Sequence, residues 1–234
     1  NKTEVVDVVS GETCADLPDF PVSNYGAVGA NLDGTPAVCG GYTSNQISSK
    51  CYRFKNGKWK KFASMKSKRW LPAGVMYKKK FHLFGGRFGS FSSSISKTSE
   101  TISIDGVVEY GPELPEAVEL HAITSINSTV SILSGGSTDA TCSSPLTWYF
   151  NHETNVFSSG PSLLEGRRGH GSATIVDKVT KAKIPTVTGG AGILYSTELL
   201  IDGQWQSGIN QFAEFPKFLS NHLLRFVQHE RAFL

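Results

Sequence analysis

The sequence predicts an all-β chain built from a repeating unit of four short strands, on the evidence of a recurring glycine pair and of composition. The pair closes four apolar runs: "PAVCGG" at Gly41, "FHLFGG" at Gly86, "SILSGG" at Gly136 and "PTVTGG" at Gly190, at intervals of 45, 50 and 54 residues. A period of this size marks a repeat architecture. The 234 residues include 24 Gly and only 2 Met, with 39% hydrophobic and 18% charged residues. That balance suits strands and turns in an ordinary globular chain.

Aligned on the glycine pair, the parts follow in one order. A polar stretch leads to a β-like run: "KCYRFK", "ETISID", "LTWYFN" or "TELLID". A turn follows, "NG", "DG", "HETN" or "DG", and Asn-Gly and Asp-Gly are strong hairpin signals because the turn needs positive φ. A further strand comes next: "KWKKFAS", "VVEYGPE", "NVFSSGPS" or "QWQSGIN". An apolar residue (Met65, Leu114, Leu163 or Phe215) then opens a connection to a strand rich in small residues: "PAGVMY", "HAITSI", "GHGSATIV" or "HLLRFV". A second apolar strand runs into the next glycine pair.

A lone four-stranded sheet of this size cannot bury both faces, but sheets repeated around an axis pack on one another. The predicted fold is therefore a β-propeller in one domain, with repeats at 24–69, 70–118, 119–167 and 168–218. The ends are out of phase in a complementary way. "TEVVDVVSGETCADLPDFP" reads as a third strand, turn and fourth strand, and "FPKFLSNHLLRFVQHERAFL" as a first and second strand. Residues 219–234 plus 1–20 would form one composite blade, making five; the alternative is a chain that continues beyond Leu234 into more blades. The segment "FAEFPKFLSNHLLRFVQHE" has apolar spacing that also fits a helix, although Pro216 favours strand.

These features resemble the kelch-repeat family, which includes the propeller domains of galactose-oxidase-like proteins. Kelch motifs carry a double glycine, then a Tyr and a Trp separated by six residues; here Gly40-Gly41 precede Tyr52 and Trp59 at that separation. In the third unit Phe150 and Phe157 keep the spacing, in the fourth Leu199 stands for the tyrosine before Trp205, and the second unit is degenerate apart from Gly85-Gly86. The resemblance implies a closed ring whose termini share a blade. Some members are copper-radical oxidases with a Cys–Tyr thioether, but Cys51 and Tyr52 are neighbours on a strand and point to opposite faces.

Net charge is +3, with one basic concentration from Lys50 to Lys80 that reads as the solvated outer face of strands; a polyanion patch would require those charges on one surface. No nucleic-acid partner and no membrane span are expected. The chain opens on Asn1 rather than Met, which fits a removed or omitted leader. Sequons at Asn1 and Asn127, with an even count of four cysteines, point to a secreted, glycosylated protein. Cys39 ends a second strand and Cys51 begins the antiparallel third strand, so a Cys39–Cys51 disulfide is expected. Cys14 and Cys142 are not expected to pair with each other and read as small buried hydrophobes, the alternative being a bond to another chain.

In a propeller the loops after the second strands and the connections between blades emerge on one face. That face would gather Tyr42, Arg69, Trp70, Arg87, Phe88, Phe91, Arg167 and Arg168 as a surface for a protein or glycan partner. His121, His170 and His222 each lie seven residues after Leu114, Leu163 and Phe215, which makes them weak metal candidates. Kelch sequences use a His there structurally, so no metal and no cofactor are expected. "GRRGHGSAT" lacks a nucleophile elbow, "GGRFG" lacks a phosphate-loop Lys, and Glu116, Glu119 and Glu165 show no sign of pairing. The expected function is a non-enzymatic binding scaffold, with self-association open to it. The alternative is an enzyme or a small-molecule or metal binder at the channel mouth.

Overall fold

The structure is a computed structural model that describes residues 3–6, 13–89, 94–139, 141–177, 179–191 and 196–208. The described residues form nineteen β-strands and no α-helix. β1 (Thr3–Val6) and β2 (Thr13–Leu17) pair as an antiparallel ribbon. The first large sheet holds β3 (Tyr25–Leu32), β4 (Thr35–Thr43), β6 (Lys50–Lys55) and β7 (Lys58–Ser64), with β5 (Gln46–Ile47) alongside β4. The second holds β8 (Ala73–Tyr77), β9 (Lys80–Phe84), β10 (Ser99–Ser103) and β11 (Val108–Tyr110). The third holds β12 (Ala122–Ser125), β13 (Val130–Ser134), β14 (Thr147–Asn151) and β15 (Val156–Ser159). The fourth holds β16 (Gly171–Val176), β17 (Lys183–Thr188), β18 (Thr197–Ile201) and β19 (Gln204–Ser207). The segment whose apolar spacing also fits a helix, and the C-terminal half of the expected composite blade, lie outside the described residues.

Each sheet is an antiparallel meander, and the first strands adjoin in chain order: β3 against β8, β8 against β12, β12 against β16. The arrangement is propeller-like. Apolar layers fill the spaces between successive sheets. Val28, Cys39, Met65, Phe81 and Ile102 lie between the first and second, Phe84, Val118, Leu133 and Trp148 between the second and third, and Ile132, Leu163, Val187 and Trp205 between the third and fourth. Second strands are covered on both faces, as the four consecutive buried residues of β9 from Phe81 to Phe84 show, whereas the outermost β11 and β15 are largely exposed.

The glycine pairs have a shared structural reason. The second glycine's N–H donates to a carbonyl of the following connection: Gly41 to Arg69 at 2.9 Å, Gly86 to Val118 at 2.8 Å, Gly136 to Arg167 at 2.6 Å. A Cβ on the first glycine, at Gly40, Gly85 or Gly135, would collide with that same carbonyl oxygen. Nearer the axis, a head-to-tail backbone chain links all four units. Leu71 N donates to Gly26 O at 2.7 Å, Leu120 N to Leu71 O at 3.1 Å, and Gly169 N to Leu120 O at 2.7 Å. The four residues share a left-handed conformation, with φ of 63°, 55°, 55° and 60° for Gly26, Leu71, Leu120 and Gly169.

Strand register corrects the motif alignment. Val38, Leu83, Leu133 and Val187, two places before each second glycine's neighbour, pair with Tyr52, Glu100, Trp148 and Glu198. Glu198, not Leu199, therefore stands where Tyr52 does, and Trp148 does so in the third sheet. The four-residue turn there shifts the Phe150–Phe157 spacing onto a different rung, where the two rings face each other. The turns at Asn56-Gly57 and Asp202-Gly203 have positive φ at both residues, as the hairpin signal predicts.

Cys39 and Cys51 sit opposite each other on β4 and β6, fully buried, and form a disulfide. Cys142 departs from expectation: it is an exposed free thiol, in a turn where the Asp139 carboxylate accepts from the N–H groups of Thr141 and Cys142. Cys14 lies on β2. Replacing Cys39 and Cys51 together with Ala is expected to cost about 3 kcal/mol through loss of the loop constraint. Urea denaturation under non-reducing conditions measures it.

Candidate functional site

The connections between sheets carry a repeating set of side chains that separates structural positions from available ones. Four residues after Phe20, Met65, Leu114 and Leu163 stand Asn24, Arg69, Val118 and Arg167. Three of these side chains donate to the carbonyl of the first glycine of the next pair: Asn24 to Gly40 at 3.0 Å, Arg69 to Gly85 at 2.8 Å and Arg167 to Gly189 at 2.8 Å. Both arginines also pair with a buried glutamate of the following third strand, Arg69 with Glu100 at 2.6 Å and Arg167 with Glu198 at 2.9 Å. The carboxylates in turn accept from connection N–H groups, Glu100 from Lys66 and Ser67, Glu198 from Leu164 and Glu165. At the third sheet the joint is apolar, Val118 beside Trp148.

Arg69 and Arg167 are thus corrected as surface residues. They are 1% and 0% exposed, because each guanidinium spends its donors on carbonyls and a carboxylate inside the joint. The sequence signal for this was the Glu at the tyrosine position, which reads as solvent-facing until register is known.

One residue further along each connection lies a rim around the axis: Tyr25, Trp70, Glu119 and Arg168. Backbone pairing sets each beside the residue that follows a glycine pair: Tyr25 with Tyr42, Trp70 with Arg87, Glu119 with Ser137, and Arg168 with Ala191. Side chains then link neighbouring units. Tyr42 packs on Trp70 at 5.4 Å between ring centroids, and Tyr25 lies 5.2 Å from Tyr42 and 5.6 Å from Trp70. In the next unit the equivalent contact is ionic, Arg87 to Glu119 at 2.5 Å. Arg87 is consequently buried, which corrects its assignment to an open surface, and Glu119 is paired, contrary to expectation. Trp70 and Tyr42 are half-buried, Arg168 is half-buried, and Phe88 is 46% exposed. Phe91 lies outside the described residues. Tyr25, 49% exposed, was missed by sequence reasoning, although its spacing from Phe20 matches that of Trp70 from Met65.

The rim has a polar side. Burial holds the Glu119 carboxyl above its ordinary range, against the pull of the Arg87 guanidinium and then of Arg168. Its Oε2, the Ser137 hydroxyl and both nitrogens of His121 are buried without a hydrogen-bond partner among the described residues. His121 sits between Gly85 and Gly136, and burial lowers its pKa to about 3. His170 occupies the equivalent niche one unit on, with Nε2 3.0 Å from Ser134 Oγ and its pKa also lowered to about 3 by burial. The residue matching Ser134 in the second sheet is Phe84, so His121 finds no hydroxyl. His222 lies outside the described residues. No group of three or more His, Cys, Asp or Glu side chains is placed to hold a metal ion among the described residues.

A second histidine cluster, unanticipated from sequence, lies at the hairpin end of the second and third sheets. His152 stacks on Tyr77 at 4.5 Å, lies 3.4 Å from His82 between Nδ1 atoms, and meets Ser131 Oγ at 2.8 Å through Nε2. Burial lowers both His82 and His152 to about 4.

No family model and no curated protein matches this chain. Among solved structures it is similar to that of YjhT, with a TM-score of 0.76 over 89% of this chain and 77% of that one at 13% identity. The likeness is one of fold. Among the described residues no helix is long and apolar enough to cross a membrane.

Replacing Arg69 with Met strands the Glu100 carboxylate in the joint and is expected to cost about 3–5 kcal/mol. The double change Arg69→Val with Glu100→Trp, which copies the Val118/Trp148 joint, should cost less; chemical denaturation of both variants tests this.

The histidines predict a pH dependence. Their folded pKa values, about 3 for His121 and His170 and about 4 for His82 and His152, lie below the unfolded value near 6.5. Between these values the unfolded chain binds more protons, so stability present in full above about pH 6.5 is lost as pH falls towards 4. The melting temperature is expected to drop between about pH 7 and pH 5, and less so in His121→Leu; a flat profile would contradict the assignment.

Proposed function

We propose that the chain is a secreted, kelch-type propeller that works as a non-enzymatic binding module, and that a protein or glycan partner docks on the aromatic side of the rim. The observation that carries this reading is the Tyr25–Tyr42–Trp70 group with Phe88 next in chain to the Trp70–Arg87 bridge. These rings are held by backbone pairing and by one another, yet keep surface open to solvent. Pre-positioned aromatic side chains bury much area at small entropic cost, and a Tyr hydroxyl adds a polar tip. A ring of five blades closed by the termini is the architecture we favour; the β1–β2 ribbon supports it by pairing as the outer half of such a blade would.

The buried disulfide is consistent with an oxidising compartment. Asn127 supports glycosylation: it is exposed on the β12–β13 turn, and its Oδ1 takes the N–H groups of Thr129 and Val130, while Nδ2 has no hydrogen bond among the described residues. Asn1 lies outside the described residues.

A second reading, a small polar ligand at the channel mouth, is favoured by the unpartnered buried atoms of Glu119, His121 and Ser137. Glycan-array and secretome-capture binding, compared between the native chain, Trp70→Ala and Glu119→Gln, separates the two. The first reading expects roughly tenfold or greater loss in Trp70→Ala and little change in Glu119→Gln. The reverse order would support the second reading and reject the first.

A further inference from the structure

The outer hairpin of the first sheet differs in charge from its counterparts. β6 and β7 carry Lys55, Lys58, Lys60 and Lys61, all exposed, and the segment from Lys50 to Ser64 contains no acidic residue. The corresponding hairpins of the other sheets carry Asp105 and Glu109, Glu153, and Asp202. Register sets Lys55 opposite Lys58 and Arg53 opposite Lys60. Strand alternation then puts all four on one face. Like charges directly opposed on a ladder repel. Three exposed lysines of the second sheet and its loops have a carboxylate: Lys78 has Glu153 at 3.0 Å, Lys80 has Glu109 at 2.8 Å and Lys97 has Glu113 at 3.8 Å. Among the described residues Lys55, Lys58 and Lys60 make no ion pair. β7 is also an edge strand among the described residues.

We infer that this hairpin face, Lys58 and Lys60 on the edge strand β7 with Lys55 opposite Lys58 on β6, is a docking surface for a linear sulfated polysaccharide. Charge selects a polyanion, and geometry selects among polyanions. Single-stranded nucleic acid is held by bases stacked on open aromatic faces between cations. Trp59 lies between these lysines in sequence but points to the other face, covered by Phe20 at 5.0 Å and Phe54 at 5.4 Å. Planar carboxylates are best taken by the fork of an arginine. Arg53, the arginine of this face, turns inward and donates to Leu32 O, Ile104 O and Thr35 Oγ1. What remains is a group of ammonium point charges, Lys58 and Lys60 about 6.6–6.8 Å apart along β7 and Lys55 across the ladder from Lys58, which suits tetrahedral oxyanions repeated along a flexible chain. The disulfide between β4 and β6 lies in the same sheet, and it suits the extracellular setting in which such polymers occur.

The test is direct binding of a size-defined heparin oligosaccharide across a salt series. The native chain is expected to bind, and Lys55→Gln/Lys58→Gln/Lys60→Gln to lose about tenfold or more, with the slope of log affinity against log salt reduced by roughly two to three. Lys78→Gln/Lys79→Gln/Lys80→Gln makes the same change in net charge elsewhere and should stay within about twofold of native. Melting temperatures of both variants, expected to match the native chain, confirm that they are folded. Absence of native binding, or equal loss in the two variants, would overturn the inference. Equal or tighter binding of duplex DNA, of anionic phosphatidylserine vesicles or of fully desulfated heparin would also overturn it.

Discussion

The structure depends on one backbone constraint: a carbonyl of each inter-sheet connection must reach the N–H of the second glycine in the preceding sheet. The hydrogen bonds from Gly41, Gly86 and Gly136 to Arg69, Val118 and Arg167 are the same bond made three times. The acceptor oxygen passes so near the first glycine that no Cβ fits there. Buried backbone groups left without partners are costly, and no side chain can substitute for this approach. The bond also places the connection so that Leu71, Leu120 and Gly169 can each donate to the unit before, in the chain that starts at Gly26. Leu71 and Leu120 hold left-handed φ to do so, a strain of order 1 kcal/mol each that the chain of bonds around the axis outweighs.

Around that invariant backbone the side-chain half of each joint varies. Asn24 meets it with an amide and Arg69 and Arg167 with a guanidinium, while Val118 leaves it to apolar contact with Trp148. The three chemistries occupying one position show that the joint does not require charge. Buried ion pairs of this kind are weak contributors to net stability once desolvation is counted, but they penalise wrong neighbours heavily. An arginine seated against Trp148, or a valine against Glu198, would leave a buried charge unpaired. The alternation of ionic and apolar joints therefore helps specify which sheet packs on which.

This division explains what the sequence disclosed. The glycine pairs, the hairpins at Asn56-Gly57 and Asp202-Gly203, and the Cys39–Cys51 bridge were legible because each answers to a backbone or covalent constraint that restricts residue type. Arg69 and Arg167 are illegible as joint residues because an arginine in a connection reads as solvent-facing, and its buried carboxylate partner lies about thirty residues away, at 100 and 198, with no local pattern joining them. Glu198 is less legible than Leu199 because hydrophobicity does not report ladder register; in the structure the six-residue spacing runs from Glu198 to Trp205. Tyr25 was legible in principle, since counting five from Phe20 reaches it as counting five from Met65 reaches Trp70.

The same count locates where function can vary. At the joint position a substitution must satisfy the glycine carbonyl or an apolar layer, and the choices are few. One residue on, at Tyr25, Trp70, Glu119 and Arg168, the backbone is already fixed by its bridge to the residue after the glycine pair, so the side chain is free to differ. It does differ, from aromatic to acidic to basic around the axis, and the contacts follow suit: ring on ring at Tyr42–Trp70, ion on ion at Arg87–Glu119. A fold that spends its glycines on holding the backbone thus gains a rim whose chemistry can change without disturbing the sheets. In this chain that freedom has produced an open aromatic side and a closed polar side within two adjacent units. The two sides are chemically separate, because Arg87 and Glu119 pair with each other beneath the surface.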